Sequence, residues 1–272
     1  MSRSLFHYQR LVEDHLITLL AKRTVKLSRP DAFNDPWDCR IHFNVPSDQR
    51  ERQRLRRWLA DWHRKRLPDK SRAERRRHTS EFMKPAKLEA NLLEMEELMY
   101  KGLCQLHRIY CLSEVCDSPL MWAHYTGSHT GICLEFDALA APFTRQTGAA
   151  KVIYRKTYPS VDITGTGYAL LITKSDVWAY EREWRIVAEE RGVAQALGTI
   201  KTDNSFLTLP PGVLKSIIIG CLASEESRRL VASLVRTHAP DVLVRQATLA
   251  PDRYDLVITP PVAIGRGLIA DG

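Results

Sequence analysis

The length of its apolar runs constrains this chain most. Ile109–Leu112, Ile132–Phe136, Trp184–Ala188 and Val213–Ile219 are strand-length, and no run approaches the ~18 apolar residues that a membrane span requires. Ser4–Arg10, Lys22–Leu27, Ile41–Val45 and Ala150–Tyr154 add short strands, as do Ser205–Leu209, Val242–Ala247 and Tyr254–Ile258. Few of these are separated by one helix, as a βαβ unit would require, and the helical patterns cluster instead. The expectation is one α+β domain over residues 1–272, with a mixed, mostly antiparallel sheet and a helical insertion at 48–106.

Three helices are expected outside that insertion. Val12–Ala21 repeats Val12, Leu16, Leu19 and Leu20 at helical spacing. Leu170–Trp178 is read as a short helix. Ser224 is a strong N-cap with Glu225 and Glu226 behind it, and the helix runs to His238 before Pro240. Arg29–Cys39 carries Pro30 and Pro36 and must be irregular, and the polar run Ser160–Thr166 marks a loop.

The insertion is split near Pro68–Asp69. Residues 50–77 hold 13 Lys/Arg against four acids, a net of +9, whereas the whole chain is +8. The excess positive charge therefore belongs to one element. Leu55, Trp58, Leu59 and Trp62 form its apolar stripe, and Pro85–Leu103 forms a second, more acidic helix. Arg54, Arg57, Arg64, Lys65, Arg66, Arg75 and Arg76 are candidate nucleic-acid contacts, with a solvated helix as the plain alternative.

The six cysteines include no CxxC pair and read as reduced, mostly buried thiols. With no N-terminal apolar segment and no membrane span, a cytoplasmic protein is expected. No GxGxxG, Walker loop or metal-ligand spacing occurs, so no metal is expected.

Two stretches carry the candidate chemistry. Between Ile109–Leu112 and Ile132–Phe136 lies a connection bearing Ser113, Glu114, Trp122, His124, Tyr125 and His129. His124 could act as acid or base, or could simply cap a turn while Trp122 and Tyr125 pack in the core. The second stretch is Tyr180–Arg185, where Glu181 and Glu183 would face the same side of an extended backbone. Paired carboxylates suit a cationic transition state and an incoming nucleophile, or else pair with Arg182, Arg185 or another base. Asn34, Asp35, Pro36 and Asp38 read as an Asx turn over Phe33 and Trp37, or as a loop reaching the same pocket.

AFNDPWD (32–38), YCLSEVCDSPLMWAHYTGSHTGICLEFD (110–137) and KSDVWAYEREWRI (174–186) together resemble the bacterial family catalogued as domain of unknown function 2971. The resemblance covers the first strand to about residue 190. More distantly, Glu181-x-Glu183 resembles the final motif of ADP-ribosyltransferases. That likeness implies that Glu183 holds the ribose as positive charge develops and that Glu181 acts on the acceptor. The order of parts is also similar: His7–Tyr8 or Arg10 on the first strand, Ser113 ending a middle strand, then Trp122 and Tyr125. The middle strand lacks a Ser-Thr-Ser run.

The leading expectation is thus an ADP-ribosyltransferase-like enzyme using NAD. Its catalytic set would be Glu183, Glu181 and His124. Its nucleotide-binding set would be His7, Tyr8, Arg10, Ser113, Trp122, Tyr125 and Trp178, with the basic helix presenting a nucleic-acid or protein acceptor in a toxin or phage-defence setting. A non-catalytic binding module using the Arg-rich helix is the rival. A metal-dependent nuclease built from Asp35, Asp38, Glu114 and His124 is the weaker alternative.

Overall fold

A computed structural model describes residues 4–144, 148–159, 168–192 and 200–261; the expected loop at Ser160–Thr166 lies outside them. The chain begins with β1 (Ser4–Gln9), α1 (Glu13–Lys22) and β2 (Thr24–Lys26), and then a one-turn 3-10 helix at Pro30–Ala32. The insertion follows as α2 (Gln49–Arg66), α3 (Arg72–Phe82) and α4 (Pro85–Leu106). Then come β3 (His107–Ser113), α5 (Pro119–Tyr125), β4 (Ile132–Asp137), β5 (Ala149–Lys151), β6 (Ile153–Arg155), α6 (Tyr168–Leu171) and β7 (Thr173–Ser175). The last part holds β8 (Glu183–Glu190), β9 (Lys201–Thr202), β10 (Phe206–Thr208), β11 (Leu214–Ile219), α7 (Glu225–His238), β12 (Leu243–Leu249) and β13 (Leu256–Ile258).

The main sheet runs β13-β12-β11-β4-β1-β3-β8-β5, and β9 also pairs with β8. Only β11–β12 and β8–β9 are parallel within it. The fold is therefore α+β with a mixed, mostly antiparallel sheet, as expected. One face buries Leu5, Leu134, Ile186 and Ile217 beneath α1 and α7, whose Leu16, Leu20, Val231 and Val235 join the same core. The opposite face is covered by two separate clusters. Phe6, Tyr8, Cys133 and Ile218 pack with Met121 and Trp122 of α5, while Ile109 packs with Leu55, Leu59, Leu88 and Leu92 of the inserted helices.

The sheet opens at one place. β1 pairs with β4 along its whole length, and β3 pairs with β8 along its whole length. β1 and β3 meet only where Phe6 lies opposite Ser113. Further along, Ile109 exchanges both backbone hydrogen bonds with Ser28 instead (2.8 and 2.9 Å). The Cys111 carbonyl bonds Nδ1 of His7 at 2.7 Å, so this side chain serves a backbone group that the interrupted ladder leaves over.

Several local expectations are corrected. Ile41–Val45 alternates in burial but joins no sheet; the Phe43 N–H donates to the Glu96 carboxylate at 2.7 Å. Ala149–Arg155 divides into two short strands in different sheets. Leu170–Trp178 is not one helix: α6 ends at Leu171, β7 follows, and Asp176–Glu181 is a 3-10 turn. α3 is separate because Ser71 and Glu74 form a reciprocal capping box and Pro85 starts the next helix. Trp37 is 65% exposed rather than packed beneath its turn. All six cysteines are free, three of them fully buried. Among the described residues, no helix is long and apolar enough to cross a membrane.

Gly220 is fixed by contact: a Cβ there would lie 2.1 Å from the His129 carbonyl oxygen. Gly220→Ala should cost about 1–3 kcal/mol of unfolding free energy. Gly102 faces open space on α4, and Gly102→Ala should gain about 0.5–1 kcal/mol. Urea denaturation of both variants checks the pair, and a neutral Gly220→Ala would contradict the packing described.

Candidate functional site

A cavity of about 550 Å³ occupies the opening between β1 and β3, within the size range of small-molecule sites. Residues 6–10 and 109–112 form its sheet wall, joined by Glu183 and Arg185 of β8. Phe33, Asn34 and Asp38 of the irregular segment close one side, His124 and Tyr125 of α5 another, and Lys174 and Glu181 a third. Glu183, His124 and Tyr8 thus line one cavity.

Its floor is a chain of buried charges. Arg185 is 0% exposed and forks onto Asp38, with Nη2 to Oδ2 at 2.6 Å and Nη1 to Oδ1 at 2.9 Å. Its Nε donates to Glu183 Oε1 at 2.7 Å, and Nη1 also donates to the Leu171 carbonyl at 2.8 Å. Lys174 donates to Glu183 Oε2 at 3.2 Å and to Glu181 Oε2. Tyr125 closes the series by donating its hydroxyl to Glu181 Oε1 at 2.6 Å. Three carboxylates face two cations, so one negative charge is left over.

The two glutamates differ. Burial would raise the Glu183 carboxyl, but Arg185 and Lys174 outweigh it and hold it well below the usual range. Burial raises Glu181, and its one cation, Lys174, does not reverse the shift. Lys174 itself would be lowered by burial, yet Glu183 and Glu181 hold it charged. The surplus negative charge therefore resides at the Glu181 end, beside Tyr125.

The route by which these groups meet differs from an extended E-x-E. Glu181 ends the 3-10 turn and Glu183 begins β8; between them Arg182 is left-handed, with φ 45°. A non-glycine residue in that region is strained, and such strain clusters at functional sites. The two carboxylates converge on Lys174 through this kink rather than by strand alternation.

The other expected residues divide by location. His7 lines the cavity, but its ring stacks on Tyr110 at 4.1 Å and bonds Cys111. The Tyr8 ring is buried against Trp122, and its hydroxyl donates to the Val115 carbonyl at 2.9 Å. Arg10 is exposed at the cavity and has no ion-pair partner among the described residues; Lys26 shares that position. Ser113 is fully buried, donating to the Glu181 carbonyl at 2.6 Å and accepting from the Val115 N–H, so its hydroxyl braces the E-x-E turn. Trp122 is 0% exposed in the core. Trp178 lies outside the cavity, beside His124 and over Lys174.

The pairing of Arg185 with Glu183 is the ion pair weighed as the plain alternative, and Asn34 and Asp38 reach the same cavity; the role of Lys174 and the pairing of Asp38 with Arg185 are what was missed. The signal available was the pair of bases flanking E-x-E in a segment that is otherwise buried. The set named for the weaker, nuclease alternative does not assemble: Asp38 is taken up by Arg185 and Glu114 by Lys151. Among the described residues, no three His, Cys, Asp or Glu side chains are placed to share an ion. The seven candidate nucleic-acid residues all lie on α2 and α3 and share no part of this cavity.

Residues 121–186 match the family model described as Protein of unknown function (DUF2971). That span runs from α5 to the middle of β8 and carries His124, Tyr125, Lys174, Glu181, Glu183 and Arg185. It is narrower than the sequence resemblance, leaving out β1, residues 32–38 and the inserted helices. No curated protein and no solved structure matches the chain.

Two outcomes are expected. Arg185→Leu strands the buried carboxylates of Asp38 and Glu183 and should cost about 3–5 kcal/mol by denaturation. His7 is held neutral, its pKa lowered by burial to about 4, against 6.5 in the unfolded chain. Between those values the unfolded chain takes up a proton that the folded chain does not, so stability falls as pH falls through the window. His7→Gln should remove that loss, on the order of 3 kcal/mol across the window. An unchanged stability profile between pH 6.5 and 4 would rule this out.

Proposed function

We propose that the cavity binds NAD and that the chain transfers its ADP-ribosyl group to an acceptor. The observation that carries this reading is the buried Glu183–Lys174–Glu181 series ending on Tyr125 at a cavity wall. Buried charge of this kind is expensive to fold, and perturbed carboxylates in a cleft are characteristic of catalytic sites. The arrangement around them supports the same reading. The elements with the ADP-ribosyltransferase-like residues, β1, β3 and β8, are neighbours in the sheet, and the cavity lies where the first two part.

The donor set fits a nucleotide. Arg10 and Lys26, which have no ion-pair partner among the described residues, stand at the cavity and suit phosphate oxygens. His124 and Tyr125 of α5 add ring faces and polar edges to the lining. NAD supplies an electrophilic ribosyl carbon whose bond to nicotinamide breaks as the bond to the acceptor oxygen or nitrogen forms.

The roles expected of the two glutamates change. Glu183, neutralised by Arg185 and Lys174, is a positioning residue that fixes Lys174 and the start of β8. Glu181 holds the surplus negative charge, so it is the group that stabilises developing positive charge in a site of low dielectric. Its raised pKa also fits it to take the acceptor's proton. Tyr125 holds that carboxylate in place through its 2.6 Å bond.

With water as acceptor, the wild-type chain should release nicotinamide from NAD. Glu181→Gln should lower that rate about 10²–10³-fold while NAD affinity changes little, the signature of an interaction made in the transition state. Calorimetry and nicotinamide release separate the two effects. Absence of both NAD binding and turnover in the wild-type chain rejects the proposal, and so does full turnover by Glu181→Gln.

A further inference from the structure

The antiparallel hairpin of α2 and α3 carries a second concave surface that shares no residue with the sheet cavity. It encloses about 770 Å³ and is lined by Arg56, Arg57 and Arg64 from α2 and by Arg72, Arg75 and Arg76 from α3. Asp61 is its one acid; Ala60, Thr79 and Ser80 complete the lining. Bringing six guanidinium groups to one groove opposes folding through mutual repulsion. Part of that charge has local partners. Arg64 pairs with Asp61 at 3.1 Å, Arg56 donates to Ser80, and Arg75 donates to the carbonyls of Leu67, Pro68 and Lys70. Arg72 and Arg76 make no ion pair or hydrogen bond among the described residues.

We propose that this groove binds the phosphodiester backbone of a nucleic acid, without reading its sequence. The lining decides between partner classes. A protein partner would be expected to find apolar anchors in the centre of its site, and this groove offers one exposed alanine. Interfaces with nucleic acid are more polar and far more positive. All the cations here are arginine, whose planar fork matches phosphate oxygens. Arg72 and Arg76, four residues apart on α3, stand about 6 Å apart along the helix axis, close to the step between successive phosphates on a strand.

Base readout has no instrument here. Trp58 and Trp62, the aromatic residues of α2, lie against Phe43 and each other, and Arg66 covers the Trp62 ring at 5.4 Å. They belong to the hairpin's packed side, so no stacking platform borders the groove. The contact set also differs from that expected from charge alone. Arg57, Arg64, Arg75 and Arg76 line the groove, whereas Arg54, Lys65 and Arg66 do not; Arg56 and Arg72 take their place.

The test is fluorescence anisotropy of the full chain with labelled 20-mers: duplex DNA of two unrelated sequences, duplex RNA, and a polyglutamate peptide of equal charge. Binding should be alike for the two DNA sequences and should weaken steeply with salt. Arg72→Gln/Arg76→Gln should weaken it at least tenfold and flatten the log affinity against log salt slope by about two contacts' worth, ~0.9 each. An unchanged melting temperature shows that the double variant remains folded, and Arg72→Lys/Arg76→Lys should recover most of the salt slope. The proposal falls if the wild-type chain binds neither duplex. It also falls if the double variant binds as the wild type does, if one DNA sequence is preferred tenfold, or if polyglutamate binds as tightly as DNA. NAD turnover in the double variant should equal that of the wild type, so failure here is distinguishable from failure at the sheet cavity.

Discussion

The guanidinium of Arg185 is the group on which the site is built. It sits on β8, next to the edge strands of a nine-stranded sheet, with no exposure, where an unpaired charge would cost several kcal/mol. Its donors reach Asp38 before the inserted helices, Leu171 at the end of α6, and Glu183 two residues back on β8. One buried cation therefore ties the segment around Asp38 and the end of α6 to β8, and Asp38 and Glu183 both line the cavity. An apolar side chain at 185 would pack the sheet more simply. Buried ion pairs rarely add stability over apolar replacements, so the arrangement makes sense through what it positions, namely Glu183, Lys174 and then Glu181.

The second constraint is the interrupted ladder between β1 and β3. An antiparallel pair that separates leaves backbone donors and acceptors without partners, and these must be met elsewhere. Ser28 meets Ile109, and the His7 ring meets Cys111, so the gap stays open without orphaning those groups. On its other side β1 is held tightly. A Cβ on Gly131 would lie 2.4 Å from the Gln9 carbonyl oxygen, so the chain leaving α5 passes directly over the end of β1. β1 is thus clamped to β4 and free of β3, and that asymmetry produces the cavity.

Much of this architecture is legible from local sequence because local forces set it. β3, β4, β8 and β11 are built on short apolar runs of strand length, and β1 is a short strand beside them. α7 lies between its own cap, Ser224, and Pro240. What was not legible depends on partners far away. Ile41–Val45 alternates like a strand, but with Glu96 to satisfy Phe43 it needs no sheet. Lys174 and Arg185 look like ordinary bases near acids, and only the return of Asp38 and the kink at Arg182 show that they are buried. Ser113 and Trp122 looked available to a ligand because sequence does not show that Glu181 and Cys116 carbonyls occupy their donors. Motif position singles out Glu183; the two cations beside it and the one beside Glu181 are what lead the proposed function to give Glu181 the charged role.

That count also governs what can enter. The buried series is net negative, and an anionic nucleotide would be repelled from its Glu181 end unless its phosphates lay elsewhere. In the proposed reading Arg10 and Lys26, both at the cavity, are that place. The positive excess on residues 50–77, outside a remainder that is close to neutral, forms a separate field on the hairpin. Had those arginines bordered the sheet cavity, they would have neutralised Glu181 as Arg185 neutralises Glu183, and the raised carboxyl would be lost. The acid–base group proposed for one and the polyanion surface proposed for the other both require that the two charge systems stay separate. The insertion packs Leu55, Leu59, Leu88 and Leu92 with Ile109 on the sheet face away from α1 and α7, a cluster distinct from the core beneath those two helices.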